Sequence, residues 1–189
     1  WRRCSRISVH GSSRTTAPGW CPRWDIRING VEQASTPLTA GYAPLQRTWL
    51  PGDQIDLTLE MPVQRIVGHP FAGAIRERVA IQRGPVVYCL EGIDQAADKD
   101  PMLPVHATFQ IEYRKDFLGG VVVIFTQDVL GRPLTAIPYY AWDNRIPAGP
   151  EEDWLVVWLR QEQWFMLRQP LDENERQGWI HHLYRPIAV

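Results

Sequence analysis

The chain has 189 residues, 44% of them hydrophobic and 22% charged, with a net charge of −1. Enough apolar surface is present to offset the entropy of an ordered chain, which excludes a disordered protein. No basic excess points to nucleic acid or to an anionic membrane surface, and the length suits one large domain or two small ones.

Residues 1–17 carry charge but no apolar run and no periodicity, so they predict neither a signal peptide nor a regular element and form an unassigned leader. The first residue is Trp rather than Met, which leads to the expectation of a fragment of a longer product. Nowhere does an apolar run approach the roughly 20 residues of a membrane helix.

From Trp24 the pattern becomes one of short strands. Trp24 to Ile28 alternates apolar and polar residues, and Asn29-Gly30 supplies the positive φ angles of a two-residue hairpin turn before Val31 starts the return. A strand is predicted over 42–49, closed by Pro51-Gly52-Asp53. Ile55, Leu57 and Leu59 alternate with Asp56 and Thr58, which predicts a strand with one wet face. Residues 79–83 lead through Gly84-Pro85 into Val86-Val87-Tyr88-Cys89-Leu90, a run short and β-branched enough to be a strand buried on both faces.

The polar stretch 91–104 reads as a linker and as the expected domain boundary. Beyond it, strands are predicted over 109–113 and 121–125. A further strand over 134–140 contains Pro138 and is expected either at a sheet edge or to end in a bend, and 154–159 is expected to be one strand. Residues 161–189 have no clear structure; Pro170 limits any helix there. The expectation is an all-β protein with two antiparallel β-sandwich-like domains, 18–95 and 96–160, between the leader 1–17 and the tail 161–189.

Few residues offer chemistry. The nine Trp suit a β-rich core and also suit stacking on sugar rings, with core packing favoured. Cys4, Cys21 and Cys89 are odd in number and lack a C-x-x-C spacing, so neither a disulfide framework nor a zinc knuckle is predicted. Cys89 reads as a small buried hydrophobe, and a reducing, cytoplasmic setting is compatible with the set. Glu91, Asp94, Asp143 and Asp153 could supply glycosidase carboxylates, but that chemistry needs a facing pair. Asp94, Asp98 and Asp100 lack the spacing of a calcium loop. His181 and His182 are adjacent and so point apart, which makes them a poor metal pair.

The richest cluster is Tyr139, Tyr140, Trp142, Asn144 and Arg145. Aromatic faces, a planar amide and a guanidinium could hold a sugar. The same residue types anchor domain interfaces, with Arg145 fixed to backbone carbonyls or a facing carboxylate, and this packing reading is the favoured one. No catalytic, cofactor or metal residue is assigned.

Several runs, taken together in order, resemble glycoside hydrolase family 127. They are Pro18-Gly19-Trp20-Cys21, Ile28-Asn29-Gly30, Gly41-Tyr42 and Arg47-Thr48-Trp49 with Gly52-Asp53. Arg83-Gly84-Pro85-Val86-Val87-Tyr88-Cys89 with Glu91, Leu118-Gly119-Gly120-Val121, the segment Ala136 to Arg145, and Val157-Trp158-Leu159 complete the set. The resemblance implies β-L-arabinofuranosidase-like enzymes in which an α/α-barrel precedes β-sandwich domains, and in which a cysteine nucleophile sits on a zinc ion within the barrel. Nothing here matches that cysteine and glutamate set. The expected role is therefore a non-catalytic accessory portion that braces the barrel and forms a homodimer contact, with zinc expected only in the absent catalytic domain. The rival reading is a carbohydrate-binding module using exposed Trp and Tyr.

Overall fold

The fold is described from a computed structural model over residues 7–8, 20–33, 42–43, 45, 47–69, 72–95, 99–147, 149–150, 152–162 and 184–187. Two compact units make up the chain, Trp1–Pro62 and Val63–Val189.

The first unit is built from short strands. β1 (Ile7–Ser8) pairs with β4 (Tyr42–Ala43). β2 (Trp24–Ile28) forms a hairpin with β3 (Val31–Glu32), and its other edge takes β5 (Ile55–Leu59). The hairpin turns at Asn29 and Gly30 with φ of 52° and 79°, as a right-twisted two-residue turn requires. Ile26, Ile28 and Ala43 form the core, with Trp24, Leu45, Trp49, Ile55 and Leu57 against it. On β5 the apolar residues are half-buried while Asp56 and Thr58 are exposed, the alternation that its sequence predicts.

The expected strand over 42–49 is cut to two residues. Pro44 has no N–H to give to a ladder, and the following residues are drawn to Asp53 instead. That carboxylate accepts from the Leu50 amide at 2.9 Å and from Asn29 Nδ2 at 2.8 Å, while Asn29 Oδ1 accepts from the Gln54 amide at 2.8 Å. A side-chain brace between two turns replaces the ladder.

The second unit carries one sheet of ten strands among the described residues. In chain order they are β6 (Val63–Gly68), β7 (Arg78–Arg83), β8 (Val86–Glu91), β9 (Met102–Leu103), β10 (Gln110–Arg114), β11 (Val121–Gln127), β12 (Pro133–Pro138), β13 (Leu155–Val156), β14 (Leu159–Gln161) and β15 (Tyr184–Ile187). The main path runs β10-β11-β12-β8-β7-β14-β9, with β6 also on β7, β15 on β6 and β13 on β8. All pairs are antiparallel except β14 with β9. Its core gathers Val79, Ile81, Tyr88, Leu90, Leu103, Ile124, Leu134 and Leu159. Among the described residues there is no α-helix, only single 3-10 turns at Gly73–Ile75, Gly92–Asp94 and Tyr139–Ala141. The all-β expectation holds.

Two further expectations need correction. The chain divides after Pro62 and not within 91–104, because β8 pairs with β7 before that stretch and with β12 after it. Polarity was a poor guide here: 91–104 holds a 3-10 turn and β9, with Leu103 fully buried. Of the two places expected for the Pro138 strand, the bend is the one found: β12 is internal, between β11 and β8, and Pro138 is its last residue, after which the chain turns away from the ladder.

The run 154–159 is broken into β13 and β14. The β7–β8 hairpin forks: β8 pairs with β7 over Val86–Tyr88, and its continuation at Leu90 and Glu91 takes β13 instead. β14 fills the other arm of the fork on Arg78 and Val79. One segment thus serves two strands in turn and bends at Val157 and Trp158 to do so. The tail likewise contributes to the sheet through β14 and β15, and its remaining residues lie outside the described ones, as does most of 1–17.

Candidate functional site

The segment following β12 holds every residue of the cluster singled out in the sequence. Pro138 ends the ladder, and Tyr139–Ala141 makes one 3-10 turn that drops Ala141 onto Val121 and Val123 of β11. Asn144 donates through Nδ2 to the Ala141 carbonyl at 2.9 Å and to the Trp142 carbonyl at 3.1 Å, closing the loop upon itself. Asp143 adopts φ of 56°, a left-handed conformation that Asp tolerates better than most residues.

Arg145 is the anchor. Its guanidinium reaches both oxygens of Asp94, at 2.6 and 2.5 Å, and also Oε2 of Glu91. The other Glu91 oxygen accepts from the Asp143 amide at 2.5 Å. Glu91 ends β8 and Asp94 ends the 3-10 turn after it, so one arginine ties the loop to the central strand over more than fifty residues of sequence. The hydrogen bonds to Asp94 raise the Arg145 pKa, burial opposes this, and Glu91 adds to the rise. The same guanidinium lies 4.9 Å from the centre of the Phe117 ring, and that of Arg114 lies 4.8 Å from it.

Around this anchor the loop shows an apolar surface. Tyr139, Tyr140 and Trp142 are 44%, 69% and 40% exposed, and Ile146 is 93% exposed. Tyr139 and Trp142 stack at 6.0 Å with an interplanar angle of 18°. Beside them is a cleft of about 100 Å³, lined among others by Glu91, Trp142, Asp143, Arg145, Glu152 and Trp154. That volume is below the roughly 300 Å³ at which small-molecule pockets begin.

The other sequence candidates are accounted for by pairing or by position. Glu91 and Asp94 are held by Arg145 and do not stand free as an acid and a base. Asp100 pairs with Arg78 at 2.6 Å, and Asp98 lies outside the described residues. Asp143 and Asp153 are exposed. His181 and His182 fall outside the described residues, as does Cys4. Cys21 and Cys89 are buried free thiols in different units. Burial, with Glu91 nearby, pushes the Cys89 thiol up to about 12, so it is a neutral core group and no thiolate nucleophile. Among the described residues no three His, Cys, Asp or Glu side chains converge as metal ligands.

Sequence reasoning anticipated a carboxylate partner for Arg145 but weighed Glu91 and Asp94 only as independent carboxylates. It missed Phe117 and Arg114 altogether. Their signal was weak, since a turn-flanking Phe and a strand-end Arg are unremarkable until folded together.

Two family models match the chain. The "Beta-L-arabinofuranosidase, GH127 middle domain" covers residues 9–61, and the "Glycoside hydrolase family 127 C-terminal domain" covers 63–160. Their junction coincides with the division between the two units. The chain is similar to the "Non-reducing end beta-L-arabinofuranosidase" of Bifidobacterium longum subsp. longum, 27% identical over 158 residues, covering 68% of this chain and 23% of the relative. Among solved structures, it resembles Ara127N-Se, a GH127 beta-L-arabinofuranosidase from Geobacillus stearothermophilus T6. The identity is 38% and the TM-score 0.64, over 77% of this chain and 25% of that one. It also resembles BT3674, a GH127 beta-arabinofuranosidase, with 29% identity and a TM-score of 0.64 over 75% of this chain and 23% of that one. The chain spans about a quarter of the length of each of these relatives.

Proposed function

This chain belongs to glycoside hydrolase family 127, and from that premise we propose that it is the accessory β-portion of a β-L-arabinofuranosidase-like enzyme, bracing an α/α-barrel catalytic domain and contributing to a homodimer. The observation that carries this reading is the surface held by Arg145. Tyr and Trp set beside a half-buried Arg are the residue types that anchor protein interfaces, and Ile146 extends the patch with an aliphatic side chain that offers a sugar no hydrogen bond. The cleft beside it is too small for a sugar chain. The described cysteines, Cys21 and Cys89, are buried, and among the described residues no three His, Cys, Asp or Glu side chains converge, so we assign the family's cysteine–zinc chemistry to the barrel.

The purified chain is expected to leave aryl β-L-arabinofuranosides intact, with or without added zinc. It should bind the separately produced barrel portion of a family relative, and Tyr140→Ala combined with Trp142→Ala should weaken that binding at least tenfold. Zinc-dependent turnover by the chain alone would overturn the accessory role. The stacked pair of Tyr139 and Trp142 favours a second reading, a carbohydrate-binding surface. Calorimetric titration with arabinose oligosaccharides separates the two: saturable binding lost in Trp142→Ala, with barrel binding absent, would establish the sugar reading instead.

A further inference from the structure

We infer that Phe117 joins two exposed surfaces of the second unit, the exposed strand β10 and the aromatic loop after β12, into one conformational unit. β10 closes one end of the sheet path and pairs only with β11 among the described residues. All five of its residues are exposed, Ile111 and Tyr113 included. The turn between β10 and β11 is tightly determined. The Phe117 amide donates to the Arg114 carbonyl and the Gly120 amide to the Phe117 carbonyl. Leu118, Gly119 and Gly120 all have positive φ, and a Cβ on Gly120 would stand 2.6 Å from the Tyr113 hydroxyl. The Tyr113 hydroxyl therefore lies against Gly120, so β10 and its turn are in contact through a side chain as well as through the backbone.

Phe117 carries that rigidity across to the loop. Its ring receives the guanidinium of Arg114 from the β10 side and that of Arg145 from the loop side. Beneath it, Phe117 and Leu118 pack on the same small cluster as Ala141. Arg145 is in turn fixed to Asp94 and Glu91. A displacement of the turn must break a cation–ring contact on one side or disturb the Arg145 clasp on the other. Whatever engages one surface biases the conformation of the other. That consequence rests on the docking role proposed for the loop, but the coupling itself is a property of the free chain.

Hydrogen exchange read by mass spectrometry on the full chain tests it without a partner, so its failure is distinct from failure of the docking role. Arg114→Ala removes a side chain that is 44% exposed. It should accelerate exchange not only over 115–120 but also over 139–147, by about two- to fivefold, the effect of losing one exposed cation–ring contact. Phe117→Leu should produce the same acceleration and should abolish any further effect of Arg114→Ala. Glu112→Gln, which removes the other charged neighbour of Arg114, should leave 139–147 unchanged. Acceleration confined to 110–120, additive effects of the Arg114 and Phe117 variants, or an equal response to Glu112→Gln would each overturn the coupling.

Discussion

Arg145 illustrates how one residue can organise a surface without forming part of it. Its side chain is mostly covered, and of the two carboxylates it holds Glu91 is buried and Asp94 half-buried. Removing it would leave Glu91 and Asp94 without their cation. Arg145→Ala is therefore expected to lower stability by about 1–3 kcal/mol. Arg145→Lys should recover only part of this, because an ammonium cannot satisfy two carboxylates as a planar fork does. Thermal melts of both variants check the order. Asp128 makes a pH prediction. Burial works to raise its pKa, but hydrogen bonds from the Arg132 amide and side chain and from the Leu130 amide outweigh it, so the carboxyl lies below its ordinary value of 3.8. A depressed carboxylate stabilises the fold above its unfolded pKa, and that contribution disappears as pH falls through the lower, folded value. Asp128→Asn should lower the melting temperature at pH 7 and lose less of it than the wild type between pH 5 and pH 2. Cys89 acts at the other end of the scale. From about pH 9, where an exposed thiol ionises, to about 12, the unfolded chain releases a proton that the folded chain keeps, so stability falls as pH rises. In native protein at pH 8, Cys89 should resist Ellman's reagent and react only on denaturation.

At the level of elements, the strands with local signals were legible. The alternation of β5, the Asn29-Gly30 turn and the uninterrupted apolar run of β8 each follow from side-chain period and backbone sterics, which act over a few residues. What could not be read depended on partners distant in sequence. β6 escaped because Gln64 and Arg65 interrupt its apolar pattern. Yet Arg65 is buried, donating to the carbonyls of Pro104 and Val105 some forty residues away. The fork between β7 and β8 splits what looks like a single strand, and no local rule announces a fork. The residues of the candidate cluster are contiguous in sequence and can be grouped by eye, whereas the Glu91–Asp94–Arg145 link joins three residues whose separate contexts suggested loops. Gly92 shows how tightly that junction is packed: a Cβ there would lie 2.4 Å from both the Glu152 carbonyl oxygen and Trp154 Nε1. Its amide also donates to the Trp154 carbonyl. Gly92→Ala should accordingly destabilise by about 1–3 kcal/mol through overpacking, measurable by urea unfolding.

For the whole molecule, two units with separate cores imply two separable stabilities. Ile26→Ala, in the core of the first, should cost that unit about 2–5 kcal/mol. Exchange protection of β7, β8 and β12 in the second unit should stay unchanged; a matching loss there would show that the units unfold as one. The fork in the second unit sets a further condition, one of time rather than of energy. During synthesis β7 and β8 leave the ribosome before the strands that fill the space between them, which lie near residue 160. For the interval needed to translate some seventy residues, several seconds at roughly 5–20 residues per second, two apolar strands stand with half an edge each unfilled. Pairings this distant in sequence make for slow folding. The growing chain thus passes through a stage with unfilled strand edges, the kind of surface that favours aggregation, and a ribosome stalled before residue 155 would display that open fork to its surroundings.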